Sequence, residues 1–327
     1  MRFVLRIIKH KLLIPAYRLL GRENQNRLYA LLNKRHYLLS PLAAIRSARV
    51  IQAYREKLRA LGAKQARAQG VTFLHFVYGF KESVELPLYA FLAIKSAQYH
   101  NPHWPVVFSY VNEPTGPWWD KIKNDIHLVQ LSDFQIFKGA RFYHYAHKAD
   151  VVRLLALQEL GGVYLDIDTI TQRPFTDLLP HEFGMSVQPA AENSAAGLCN
   201  AVMWGHPGAA FVRLWLDKYS FFRSHGRTDH HWDYHSVRLP ATMLKYHPDL
   251  IVVLPYRAFF AVAWPDVARI MFTDDGARFK ADLEIAYGFH LWNTMIEKQL
   301  LAVTPEWVQS SKSIYAVLAR PVLKDWL

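Results

Sequence analysis

From Val71 onward, short apolar runs rich in β-branched and aromatic residues alternate with longer stretches of helical period. The runs predict strands at Val71–Tyr78, Val106–Val111, Ile126–Val129, Val163–Ile167, Gly184–Val187, Ala201–Trp204, Ile251–Leu254 and Ile285–His290. Helices are predicted over Leu86–Gln98, Tyr145–Leu160 and Ala209–Phe222. Such alternation implies an α/β sandwich around a mostly parallel sheet. No Gly-x-Gly-x-x-Gly follows the first strand, so the dinucleotide-binding version of that architecture lacks its fingerprint. Before Val71 the pattern is helical. Arg2–Leu20, kinked at Pro15, and Pro41–Arg67 read as helices.

Charge divides the chain at the same place. Residues 1–70 hold sixteen Lys and Arg against two acids, a net of +14, whereas residues 71–327 are near neutral at −2. The expected organisation is therefore a basic helical region over 1–70 and a catalytic body over 71–327. The basic character belongs to one segment, which argues against a nucleic-acid partner. On a helical wheel, Phe3, Val4, Leu5, Ile7, Ile8 and Leu12 form one arc, and Arg2, Arg6 and Lys9 lie opposite. Only Lys11 breaks the pattern, and its long stem can snorkel. A helix of this layout lies in an anionic membrane surface or docks its apolar face on the body. No run of 18 apolar residues exists, and no small-residue cleavage site follows the N-terminal stretch. Cys199 is the only cysteine, so no intramolecular disulfide can form and a reducing compartment is expected. The resulting location is cytoplasmic and peripheral, on the inner face of the membrane.

The segment His147–Thr169, HKADVVRLLALQELGGVYLDIDT, carries the chemistry. On its helix, Lys148 and Glu159 share a side that should face water, and Asp150 and Arg153 lie roughly opposite. The pattern fits a helix with one face at solvent and another at something polar inside the fold. It also fits a simple i,i+3 ion pair on a partly exposed helix. Gly161-Gly162 stops the helix. The following strand delivers Asp166 and Asp168, which share a face while the chain stays extended, with Leu165 and Ile167 turned to the core. Two acids at the end of a central strand are costly unless paired, and carboxylate oxygens suit Mg²⁺ or Mn²⁺.

The combination Asp150, Arg153, Gly161-Gly162, Tyr164, Asp166 and Asp168 resembles the sugar-binding region of glycosyltransferase family 32, over about 25 residues. A looser resemblance runs over Val71–Asn293 and takes in His75, the Asn200–Pro207 segment and the late His290-Leu291-Trp292-Asn293. The resemblance implies a GT-A-type, single Rossmann-like domain that moves a sugar from a nucleotide-sugar to an acceptor hydroxyl. A UDP-sugar is the first expectation for the donor, and a GDP-sugar the second. The acceptor would be a glycan or a lipid-linked glycan, as in polysaccharide biosynthesis, and anomeric configuration would be retained. Asp150 and Arg153 would contact the donor sugar, and Tyr164 would pack along the nucleotide. Asp166 would reach the ribose or sugar, and Asp168 would bind Mn²⁺ or Mg²⁺. His290 is the candidate third ligand, against the alternative of a core histidine. Phe76 and Tyr78 on the first strand are further candidates for nucleotide contact.

Other features carry less. His225, His230, His231 and His235 cluster with Asp229 and Asp233, but their spacing matches no shared helix face or tight loop. A polar loop over an acceptor cleft, with Trp232 or Tyr234 stacking on a sugar, is the preferred reading over a second metal site. Leu239-Pro240 stands where relatives often have Gly-Pro, so acceptor details do not transfer. Trp118-Trp119 reads as packing, and Cys199 is too isolated for catalysis. Leu165–Ile170 also admits a haloacid-dehalogenase-like phosphatase, although Ile170 replaces the expected Thr. The non-enzymatic alternative is an inactive membrane-surface scaffold.

Overall fold

A computed structural model describes residues 41–65, 71–81, 85–189, 197–227, 229–274 and 284–326. The predicted helix at Arg2–Leu20 lies outside these residues. Its centre is a seven-stranded sheet in the order β10-β8-β9-β6-β1-β2-β3. The strands are β1 (Leu74–Tyr78), β2 (Val106–Tyr110), β3 (His127–Gln130), β6 (Gly162–Leu165), β8 (Phe183–Gln188), β9 (Gly197–Gly205) and β10 (Val252–Leu254). Strands β6, β1, β2 and β3 run parallel, and β9 runs antiparallel to both neighbours. Two antiparallel ribbons stand apart, β4 (Ile136–Phe137) with β5 (Ala140–Arg141), and β7 (Thr169–Thr171) with β11 (Gly288–His290).

Parallel neighbours need crossovers, and the helices that make them cover both faces of the sheet. Leu74 and Phe76 of β1 enter one apolar core with α2 (Leu88–His100), which is buried along most of its length. Val77 of β1 and the preceding Phe73 enter a second core with α4 (Tyr145–Leu160). The helix α3 (Pro117–Ile122) buries Trp119, whose ring meets Phe108 at 5.0 Å, while Trp118 packs on Phe91 at 5.0 Å. That pair is packing, as expected.

The first correction concerns the domain boundary. Helix α1 (Pro41–Gln65) is part of the body's second core, through Ile51, Tyr54 and Leu58. The hydroxyls of Tyr54 and Ser109 on β2 are 2.8 Å apart in a buried bond. Full burial of Leu58 alone contributes roughly 1.5–3 kcal/mol. Residues 41–65 therefore belong with the catalytic body and not with a separate basic region.

The second correction follows from the first. Glu159, expected at water, is covered by α1 and accepts from Arg55 Nε at 2.5 Å and Arg59 Nε at 2.6 Å, leaving its side chain 7% exposed. Lys148 is likewise engaged, with Asp133 at 2.6 Å. Among the described residues the remaining α-helices are α5 (Ala210–Lys218), α6 (Leu239–Tyr246), α7 (Val267–Phe272), α8 (Asn293–Leu301), α9 (Pro305–Ser310) and α10 (Ile314–Leu323). None of the described helices is long and apolar enough to cross a membrane.

Candidate active site

The corner between α4 and β6 aims the site. Gly161 and Gly162 have φ of +63° and +96°, a backbone region open to glycine. A Cβ on Gly162 would fall 2.2 Å from the carbonyl oxygen of Phe73 beside β1. His75 fixes the corner from β1, its Nε2–H donating to the Gly161 carbonyl at 2.6 Å. Burial lowers the His75 pKa to about 4, so the ring is a neutral strut.

Strand β6 ends at Leu165, two residues earlier than expected. Asp166 still donates its N–H to Ala201 of β9 at 2.7 Å, but a turn closes at once, with Thr169 N–H on the Asp166 carbonyl at 3.0 Å. The two carboxylates thus converge through a turn, not through strand alternation, and Ile167 is only half-buried. The ribbon β7–β11 then sets Thr169 opposite His290. Imidazole Nε2 lies 3.3 Å from Asp168 Oδ1 and 3.8 Å from Asp166 Oδ2.

Each carboxylate commits one oxygen to the protein. Asp166 Oδ1 accepts from the Tyr164 hydroxyl at 2.6 Å and pairs with Arg153 Nη1 at 2.9 Å. Asp168 Oδ2 accepts from the Asn293 N–H at 2.6 Å. The other oxygens and His290 Nε2 share one locus. One donor atom from each of the three residues lies within 4.8 Å of the others, and no other such group occurs among the described residues. Two carboxylate oxygens and one imidazole could together hold a divalent metal ion.

The titration of the three groups is set by burial and by one another. Burial raises the Asp166 pKa, an effect Arg153 partly offsets. Burial also pushes Asp168 upward, but the charge and hydrogen bond of His290 and the Asn293 amide outweigh it, and its pKa is lowered. For His290 burial works downward and is overcome by Asp168 and Asp166, so its pKa is raised.

On the α4 side, Asp150 and Arg153 point into the fold and are buried. Arg153 Nη1 donates to the Asn200 carbonyl at 2.9 Å and its Oδ1 at 3.2 Å, and the guanidinium sits 4.6 Å over the Tyr164 ring. Asn200 Nδ2 donates to Asp150 Oδ1 at 2.8 Å. Burial opposes the charge on Arg153, but the neighbouring acids prevail and its pKa is raised. Asn200 is a site residue that no local motif announced. Its one signal was a place in the loosely similar Asn200–Pro207 segment.

Two sequence candidates are displaced. Tyr164 is 1% exposed, so it holds Asp166 and Arg153 from behind and offers no face to a nucleotide. Phe76 is wholly within the core, because its side chain points to the α2 face of β1. Tyr78, at the strand's end, is half-buried beside Phe108, and burial lifts its pKa to about 12. The histidine-rich loop does not gather into a metal site. Asp229 instead caps the N–H groups of His225 and His231 and accepts from Ser224. His235 is buried, at 3.3 Å from the Lys218 carbonyl. Trp232 packs edge-on against His144 and His147 at the start of α4. Cys199 is buried, and its thiol is pushed up to about 12, consistent with an inert role.

A mostly parallel sheet with one reversed strand, and paired aspartates beyond its central β6, is the layout of a GT-A-type glycosyltransferase. Known proteins agree. The family described as "Glycosyltransferase sugar-binding region containing DXD motif" matches residues 87–184. Glucan organizing enzyme 1 of Cryptococcus neoformans var. grubii is 35% identical over 262 residues, which cover 76% of this chain and 70% of that protein. The chain belongs to this family of DXD glycosyltransferases. Among solved structures, it is similar to the PaToxG glycosyltransferase at 13% identity and a TM-score of 0.40, over 86% of this chain and 97% of that one. It is also similar to the galactosyltransferase LgtC at 12% identity and a TM-score of 0.35, over 72% and 99%. Likeness this distant does not bear on chemistry. The family match removes the phosphatase alternative. Against an inactive scaffold stands the side-chain set itself, with Asp150, Arg153, Asp166 and Asp168 all present and gathered at one site.

Proposed function

We propose that the protein transfers a sugar from a nucleotide-sugar, by first preference a UDP-sugar, to a hydroxyl of a glycan or lipid-linked glycan, with retention of configuration. The observation that carries this reading is the shared locus of Asp166 Oδ2, Asp168 Oδ1 and His290 Nε2. These three would hold Mn²⁺ or Mg²⁺. When bound, such an ion neutralises the charge that builds on the departing diphosphate. Arg153 and the Asp150–Asn200 pair present donors and acceptors, already desolvated, to the hydroxyls of the donor sugar, and Arg153 lies close enough to Asp166 to serve the diphosphate as well. Fixed groups of this kind cost little reorganisation at the moment of reaction. Tyr78 remains the nucleotide contact, since Phe76 and Tyr164 have no free face. The similarity to the fungal glucan organizing enzyme 1 supports a polysaccharide acceptor.

Hydrolysis of a panel of nucleotide-sugars, with and without Mn²⁺, tests the reading. Asp168→Asn should abolish the metal-stimulated rate and leave the melting temperature nearly unchanged. Full, equally metal-dependent activity in that variant sinks the proposal.

The location belongs to the same proposal: a cytoplasmic enzyme held at an anionic membrane surface by its N-terminal bases and apolar arc. Three bases contribute about 3 kcal/mol at such a surface. Removal of Met1–Gly21 should release the protein from anionic liposomes at low salt while donor hydrolysis persists. Full-length protein that ignores such liposomes ends the membrane reading.

A further inference from the structure

Asp168 is aimed by a short chain of contacts that leads away from the site. Its Oδ2 takes the N–H of Asn293 at 2.6 Å, and its carbonyl takes the N–H of Leu291 at 2.9 Å. Asn293 opens α8, where the first N–H groups have no partner within the helix. The preceding Trp292 adopts the left-handed conformation, with φ of 54°. It is held there by its Nε1–H on the Val262 carbonyl at 3.2 Å and by packing against His290 at 4.5 Å. The Asn293 side chain turns the other way. Its Nδ2 donates to the hydroxyl of Tyr89 at 3.0 Å, and its Oδ1 is buried with no partner among the described residues. Tyr89 lies in the first turn of α2, is 6% exposed, and is packed into the first core.

The geometry points to Tyr89 as a positioning residue for the metal site, acting through Asn293 on Asp168. The start of α8 follows a residue in a demanding conformation, so its direction is not set by the helix alone. Among the described residues, the Tyr89 hydroxyl is the side-chain anchor of the Asn293 carboxamide. By holding that side chain it holds in place the residue whose backbone N–H claims Asp168 Oδ2, and so directs Oδ1 to the shared locus. The inference rests on the metal-binding reading of Asp166, Asp168 and His290.

The test is Mn²⁺ binding by the full chain, followed as loss of the aqueous Mn²⁺ resonance without any sugar donor. Tyr89→Phe keeps the ring and removes the hydroxyl. It should raise the Mn²⁺ dissociation constant about tenfold, the low end of what groups bonded to metal ligands contribute. Donor hydrolysis should need correspondingly more Mn²⁺ and reach nearly the wild-type kcat. Asn293→Ala should do the same, and the double variant should be no worse than either single one, because both cut one path. An unchanged dissociation constant in Tyr89→Phe, with or without a lower melting temperature, overturns the inference alone. So do effects that multiply in the double variant. Wild-type protein that leaves the Mn²⁺ resonance untouched overturns the metal reading and this inference together.

Discussion

The hydroxyl of Tyr164 and the guanidinium of Arg153 meet on a single atom, Asp166 Oδ1, at 2.6 and 2.9 Å. Both come from elements that the Gly161–Gly162 corner joins, so the middle of α4 and strand β6 jointly orient one carboxylate. Arg153→Lys keeps the charge but cannot span Asp166, Asn200 and the Tyr164 ring at once. It should lower kcat/KM for donor hydrolysis about 100-fold, as for loss of a preorganised donor. It should also destabilise the fold by roughly 3 kcal/mol, the cost of a badly matched buried pair. Donor kinetics and a urea melt on the same preparation check both halves.

Metal binding should strengthen as pH rises. The His290 pKa is raised, after burial's downward pull is overcome by Asp168 and Asp166. In the metal-free protein the charged ring therefore contributes stability that is complete below its unfolded value, about 6.5, and is lost as pH climbs through the higher folded value. A metal ligand must be the neutral ring, so protons compete with Mn²⁺ over that window. The half-saturating Mn²⁺ concentration should fall as pH rises from about 6.5 and then level off. In His290→Gln that slope should flatten, whatever the absolute affinity.

Leu58 lies outside the matched family segment and within the stretch that composition assigns to a basic appendage, yet it is fully buried. Leu58→Ala should cost about 3 kcal/mol of global stability, as for a core leucine, and the melt should stay a single transition. A change below about 0.5 kcal/mol, typical of surface sites, would detach α1 from the body.

Gly162→Ala tests the corner. The new methyl group meets backbone, the Phe73 carbonyl, at a positive φ. A loss of more than about 2 kcal/mol is expected, together with weaker Mn²⁺ binding, because β6 must shift to relieve the contact. Thermal melts with and without Mn²⁺ separate the two effects.

Local pattern carried much of this architecture. The bounds of α4 follow from its apolar period and the Gly-Gly stop, and Asp150 and Arg153 do point inward as the wheel implies. What the wheel could not supply was the partner of the opposite face. Arg55 and Arg59 reach Glu159 from about a hundred residues away, so a position that reads as solvent is covered. Asp166 and Asp168 were legible as a pair, but their convergence depends on a turn closed by Thr169, and extended spacing does not encode that turn. Tyr164 and Phe76 misled for one reason. An aromatic beside a motif looks the same in sequence whether it lines a site or supports it. Asn200 and Asn293 left little trace, because a single amide has no periodicity and its value lies in what it bridges.

The ribbon that sets His290 against Thr169 spans most of the second half of the sequence. Synthesis runs from N- to C-terminus, so the sheet and both aspartates emerge well before the histidine that faces them. Until that late segment arrives, Asp168 lacks the imidazole and the Asn293 amide that favour its charged form. A partly made chain would hold the two acids without the imidazole that faces them. On the metal-binding reading proposed above, a competent site would form only once the C-terminal part of the chain has folded.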